Sequence, residues 1–143
     1  MKALIVDDEP IARRILQEEL QAFPEIAVAG EAEDGGQALQ QIAKLKPDLV
    51  FLDLQMPVMD GFEVVRQLGG GLLPLVVILT AFDQHAIEAF ETGAVDYLLM
   101  PIRPERLRTA VKRAFALQKP LENANTIASI TSAVLPRRAI PGR

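Results

Sequence analysis

The chain has no cysteine and no tryptophan, and only one histidine and one tyrosine in 143 residues. Without cysteine there is no disulfide scaffold, no thiol nucleophile and no cysteine metal site. The single histidine, His85, excludes multi-histidine metal sites and argues against a serine–histidine triad. Its simplest reading is an exposed residue on a helix. Long apolar runs are missing as well. None reaches membrane-spanning length, and the stretch from Ala3 to Val6 is too short for a signal-peptide core and soon meets acids. These absences predict a soluble, cytoplasmic domain that makes no membrane contact.

What is present suffices for one globular domain with a sizeable core, since 50% of residues are hydrophobic and 24% charged. The charge is unevenly placed. Residues 1–96 carry 6 basic against 17 acidic side chains, whereas residues 97–119 carry 6 against 1. An acidic body does not attract nucleic acid by general electrostatics, but it can hold a divalent cation.

Apolar periodicity alternates along the chain. Residues 3–6, 49–52 and 75–79 are compact apolar runs, as strands buried on both faces require, and residues 26–32 and 95–99 read as two further strands. Between them lie helical patterns. One opens at Pro10 and carries Ile11, Ile15, Leu16, Leu20 and Phe23; a second opens at Gly35 and closes before Pro47. A third covers 62–68 and a fourth 84–92, with Gly69-Gly70-Gly71 as a connection between the third and the next strand. A fifth opens at Pro104, with Leu107, Val111, Ala114 and Leu117 on one face. Five strands alternating with five helices predict an α/β fold, a doubly wound five-stranded parallel sheet covered on both faces. The pattern collapses after Lys119-Pro120. Residues 1–119 therefore read as the domain, and residues 120–143 as a linker or tail leading toward a further domain.

In a doubly wound sheet, ligands gather at the carboxyl ends of the strands. Asp7 and Asp8 follow the first strand, Asp53 the third, Thr80 the fourth and Met100 the fifth. Three carboxylates on one rim repel one another unless a cation sits among them, and carboxylates with a backbone carbonyl and waters suit Mg²⁺. A carboxylate beside such an ion is a plausible nucleophile toward phosphorus.

Four segments carry a family resemblance: Leu4-Ile5-Val6-Asp7-Asp8-Glu9-Pro10, Asp53-Leu54-Gln55-Met56-Pro57-Val58-Met59-Asp60-Gly61, Leu79-Thr80-Ala81, and Asp96-Tyr97-Leu98-Leu99-Met100-Pro101. In order and spacing they resemble the receiver domain of bacterial two-component response regulators, over residues 1 to about 119. The resemblance implies the flavodoxin-like receiver fold and a phosphoprotein with Asp53 as phosphoacceptor, charged by a histidine kinase. It implies a Mg²⁺ site made directly by Asp8, Asp53 and the Gln55 backbone carbonyl, with Asp7 acting through water. Thr80 would donate its hydroxyl to the phosphoryl group, Tyr97 would turn inward on activation, and Ala81, Met100 and Pro101 would shape the loops around that group. The bond before Pro101 is expected to be cis, as is typical of the family.

The segment from Thr80 to Glu91 resembles receivers joined to LytTR-type DNA-binding domains, and Leu135-Pro136-Arg137-Arg138-Ala139-Ile140-Pro141 is similar to the lead-in to one. Transcription regulation, with DNA contacted only through an effector domain, is the output this implies. Receivers commonly dimerise through the face formed by residues 84–92, the fifth strand and the last helix. Here Arg103, Arg106 and Lys112 alternate with acids such as Asp96, which suits a self-complementary homodimer.

One position departs from the family pattern: Met100 stands where a lysine is normal. Its plain reading is a strand-end packing residue; its functional reading is an altered switch, because a thioether brings no charge. This raises an alternative, a phosphorylation-independent dimerisation module in receiver form. A metal-dependent phosphatase with an aspartyl intermediate is argued against by Gln55, which stands where a second carboxylate would serve as acid/base. The expectation is a switch, not an enzyme.

Overall fold

Apolar runs without alternation must be covered on both sides, and the chain meets this demand with two layers of helix. The computed structural model describes residues 1–68, 74–82, 91 and 93–131. Strands β1 (Lys2–Val6), β2 (Ala27–Ala32), β3 (Leu49–Asp53), β4 (Leu75–Thr80) and β5 (Asp96–Leu99) form one parallel sheet in the order β2-β1-β3-β4-β5. Among the described residues there are four helices: α1 (Pro10–Leu20), α2 (Gly35–Leu45), α3 (Gly61–Gln67) and α4 (Pro104–Thr131). The further helix expected over residues 84–92, with His85, lies outside the described residues except for Glu91. So does the Gly69-Gly70-Gly71 connection.

Side chains alternate across the sheet with the period of two that a strand imposes. Ile5, Phe51, Val77 and Leu79 face α1 and α4, where Leu16, Leu20, Leu107 and Val111 close the layer. Leu4, Val6, Val50, Leu52 and Ile78 face the opposite way, onto Ala38 and Ile42 of α2 and Phe62, Val64 and Val65 of α3. Each large side chain so buried contributes roughly 1.5–3 kcal/mol. In α1 the apolar pattern is broader than the buried stripe. Leu16 and Leu20 are buried, but Ile11 and Ile15 remain 69% and 45% exposed.

Local capping fixes the helix starts. Asp34 and Asp60 each accept from the main-chain N–H three residues on, Gln37 at 2.8 Å and Glu63 at 2.9 Å. Lys46 closes α2 in the left-handed conformation, φ 49°. The Met100–Pro101 bond is cis, as expected.

Two expectations change. The last helix does not end at Lys119-Pro120 but runs on to Thr131, about 42 Å at 1.5 Å per residue. Pro120 removes a single main-chain donor, the one that would reach the Ala116 carbonyl, and a helix formed on either side absorbs one such loss. Residues 120–131 are thus helical, continuous with the domain. The second change concerns Asp96, expected as an exposed charge at a self-complementary face. It is fully buried, and its carboxylate accepts two bonds from Arg106, at 2.9 and 2.6 Å, with Arg113 at 3.0 Å. Arg106 also donates to the Tyr97 carbonyl and lies 5.5 Å from the Tyr97 ring centre. A carboxylate inside the sheet must be paired to stay charged, so these opposite charges meet within one chain. Arg103 and Lys112 remain exposed.

Replacing Arg106 with Met keeps the apolar stem of the side chain but strips two charge-assisted bonds from a buried carboxylate. With Arg113 still present, Arg106→Met is expected to destabilise the domain by about 2–3 kcal/mol, measured by urea unfolding. A loss below about 0.5 kcal/mol, the range of an ordinary surface change, would mean that Arg113 alone satisfies Asp96.

Candidate functional site

The sheet order places a topological switch point between β1 and β3, because the chain leaves β1 toward β2 on one side and β3 lies on the other. The carboxyl ends of those two strands carry the acids. Asp7 and Asp8 follow β1, Asp53 ends β3, and one carboxylate oxygen from each lies within 4.8 Å of the others. Among the described residues this is the sole group of three potential metal ligands. Asp7 is buried at 5% exposure, while Asp8 and Asp53 are half-buried.

Local turns aim these groups. The Asp7 carboxylate accepts from the Glu9 N–H at 2.9 Å, and Asp53 accepts from the Gln55 N–H at 3.0 Å, each folding the chain back just past its strand. The Asp7 N–H extends the β2 ladder by donating to the Ala32 carbonyl at 3.1 Å. Beyond Asp53 the chain must return over itself, and Gly61 makes that possible: a Cβ there would sit 2.5 Å from the Asp53 carbonyl oxygen and 3.0 Å from Leu54 Cα. Gly61 belonged to the quoted motif, but its role was hidden because the requirement is a contact across a loop.

Burial among like charges sets the electrostatics. Burial is the largest cause pushing the Asp53 carboxyl up to about 7, opposed by the Gln55 N–H and reinforced by the neighbouring Asp7 and Asp8 charges. Asp7 is raised for the same first reason, burial, and the two carboxyl groups are within hydrogen-bonding reach of each other. The donor set fits a hard divalent cation: close carboxylates, two of them reluctant to ionise together, with a main-chain carbonyl nearby at Gln55.

The other expected residues lie along β4, β5 and the positions that follow them. Thr80 is buried at the end of β4, and its hydroxyl oxygen accepts from the Phe82 N–H at 3.1 Å. Ala81 is exposed, and Tyr97 is half-buried under Arg106. Met100 donates its N–H to the Thr80 carbonyl at 2.8 Å, while its side chain packs on the core layer shared by α1 and α4. The plain reading of Met100 as a strand-end packing residue therefore holds. Met100, Pro101, Tyr97 and Arg103 also border an open cleft of about 400 Å³. A second cleft, of about 620 Å³, is bordered by Asp8, Glu33, Asp34, Val58 and Met59. Glu33, Asp34 and Met59 were not anticipated there, since nothing local to the loop after β2 signals that Met59 lies across Gly35.

Comparison with known proteins agrees with this architecture. Residues 3–112 match the family model described as response regulator receiver domain. An uncharacterized response regulatory protein of Vibrio vulnificus is 49% identical over 113 residues, covering 79% of this chain and 47% of the relative. The transcriptional regulatory protein BtsR of Salmonella typhi is 47% identical over 113 residues, again 79% of this chain and 47% of that protein. The chain thus spans about half the length of the curated relatives it matches. The crystal structure of the response regulatory domain of protein mrkE from Klebsiella pneumoniae superposes with a TM-score of 0.73 at 31% identity, covering 86% of this chain and 99% of that one.

The raised carboxyl has a sign that can be tested. In the metal-free state Asp53 holds its proton up to about pH 7 when folded but loses it near its ordinary value, 3.8, when unfolded. Between those values the folded state binds more protons, so stability falls as pH rises. Thermal unfolding in EDTA is expected to show a melting temperature that declines from about pH 4 to pH 7, with a shallower decline in Asp53→Asn. An unchanged slope in that variant would remove Asp53 as the cause.

A second expectation concerns Met100. A lysine at the end of β5 is what the family pattern would have, and an ammonium that reached the three acids would compete there with a divalent cation. Met100→Lys should weaken Mg²⁺ binding several-fold by titration calorimetry. Equal or tighter binding would show that residue 100 does not communicate with the acids.

Proposed function

The chain belongs to the response regulator receiver family, and from that premise we propose that it is a phosphoacceptor switch in which Asp53 takes a phosphoryl group from a histidine kinase. As a receiver domain it is a signalling module, not an enzyme. The observation that carries the proposal is the convergence of Asp7, Asp8 and Asp53 at the switch point of the sheet. A ligand role for Asp8, Asp53 and the Gln55 carbonyl, with Asp7 through water, suits a Mg²⁺ ion; when bound, such an ion neutralises charge on the phosphoryl oxygens.

The remaining steps fall to the chain. An Asp53 carboxylate oxygen attacks phosphorus in line; its P–O bond forms as the P–N bond to the kinase imidazole breaks, and the imidazole leaves neutral once it regains a proton. The product is an acyl phosphate. Thr80, buried at the end of β4, supplies a hydroxyl donor to the new phosphoryl oxygens, giving up the long bond its hydroxyl donates to the Phe82 carbonyl at 3.5 Å. That exchange moves the loop after β4 and is how modification reaches the surface beside Tyr97. The exposed Ile11 and Ile15, one and two turns into the helix that follows Asp7 and Asp8, offer the kinase an apolar footing at the same rim.

For output, the reading extends to a cytoplasmic, bacterial regulator of transcription of the LytTR type. The similarity to a transcriptional regulatory protein supports it, with α4 and residues 120–143 as the connector to a DNA-binding effector domain. Homodimerisation through β5 and α4 would use the exposed Arg103 and Lys112 rather than the internally paired Asp96. Met100, packed on the core without charge, favours a second reading: a receiver-like dimerisation module that works without phosphorylation.

Incubation with a small phosphodonor and MgCl₂ separates the two. The phosphoacceptor reading expects a mass gain of one phosphoryl group that is abolished by Asp53→Asn and by EDTA. No gain on the unaltered chain, with fold and Mg²⁺ binding intact, would overturn it in favour of the dimerisation module.

A further inference from the structure

Two of the three clustered acids, Asp7 and Asp8, sit on a turn that belongs to no strand or helix, yet one side chain from outside that turn grips it. Arg13, on the first turn of α1, donates from Nη1 to the Asp7 main-chain carbonyl at 2.6 Å and from Nε to Glu31 Oε1 on β2 at 2.9 Å. It is a mostly covered guanidinium, 14% exposed, paired with a carboxylate that is 39% exposed. The fork therefore spans the end of β1, tying the acidic turn to the neighbouring strand while α1 holds its base.

We propose that Arg13 is a positioning residue for the cation site: by fixing the Asp7 carbonyl it fixes the direction in which Asp7 and Asp8 present their carboxylates. The inference rests on the reading of Asp7, Asp8 and Asp53 as a Mg²⁺ site. The other bonds on Asp7 do not replace Arg13. The N–H to Ala32 continues the sheet, and the carboxylate to Glu9 N–H closes a turn through the Asp7–Asp8 peptide, but neither bond holds the Asp7 carbonyl itself. That plane carries the carbonyl Arg13 holds. Removing the donor leaves a part-buried oxygen without this partner and the turn alone to hold the plane, which lets Asp8 shift relative to Asp53.

Arg13 also carries positive charge, which by itself opposes a cation nearby. The two effects have opposite signs. Glu31 largely neutralises the guanidinium at 2.9 Å, so geometry outweighs charge. Residues that orient metal ligands typically alter affinity tenfold or more when lost. A lysine at this position keeps the charge but loses the fork, since one ammonium cannot hold both acceptors in the planar arrangement a guanidinium imposes.

Titration calorimetry with MgCl₂ on the full chain tests this, alongside thermal unfolding in EDTA. Arg13→Met is expected to weaken binding about tenfold, and Arg13→Lys several-fold although the charge is unchanged. Glu31→Gln, at a more exposed position, should weaken it less, because a neutral amide oxygen still accepts from Nε but without the charge that strengthens that arm of the fork. A merely structural Arg13 would lower the melting temperature in EDTA without changing Mg²⁺ affinity, and that outcome overturns the proposal. So does equal or tighter binding in Arg13→Met or Arg13→Lys while the unaltered chain binds and Asp53→Asn does not. Failure of the unaltered chain to bind Mg²⁺, or binding indifferent to Asp53→Asn, overturns the metal-site reading itself and this inference with it.

Discussion

Three carboxylates whose oxygens lie within 4.8 Å of one another repel, and the rest of the site follows from how the fold tolerates that repulsion. The two central strands, β1 and β3, are buried on both faces, so their ends cannot drift apart to relieve it. Proton retention by Asp53, whose carboxyl is pushed up to about 7, is one form of relief. A hard divalent cation would be the other, since clustered carboxylates are the donors such an ion takes.

The stiffness behind this arrangement lies in the layers above and below the sheet. Helices α1 and α4 cover one face and α2 and α3 the other, each by a narrow stripe of buried apolar side chains. Asp53 and Thr80 end packed strands, and Asp8 lies two residues past the end of another. Their own turns, capped by Asp7, Asp53 and Thr80 side chains, add the last constraint. On the proposed reading, the single hydroxyl proton of Thr80 cannot serve both an added phosphoryl group and the Phe82 carbonyl.

At the other end of the sheet a different electrostatic solution appears. Asp96 begins β5 fully buried and is met by Arg106 and Arg113 from α4. The ion pairs bolt the last helix to the edge strand that precedes Met100, and Arg106 extends this bolt over Tyr97. Met100 contributes packing there and no charge.

Much of this was legible in the residues themselves. Apolar runs without alternation announced the buried parallel strands, within a residue or two of their observed ends, and the acids stood one step past those runs. Strand-end position is a local property, and the rule that ligands collect at carboxyl ends needs nothing more. Asp7, Asp8 and Asp53 could thus be assembled before any contact was known. The reach of α4 beyond Pro120 was not legible, because proline's local preference is a weak guide where helix flanks it on both sides. Nor were the partners of the charged side chains. Asp96 looked like an interface charge and is internal, and nothing in the sequence singled out Arg13, which grips the Asp7 carbonyl. Gly61, which opens α3, has to be glycine because of the Asp53 carbonyl oxygen at the end of β3. Periodicity tells which way a residue points within its own element. Which residue it meets there depends on how distant elements pack, and only the tertiary structure decides that.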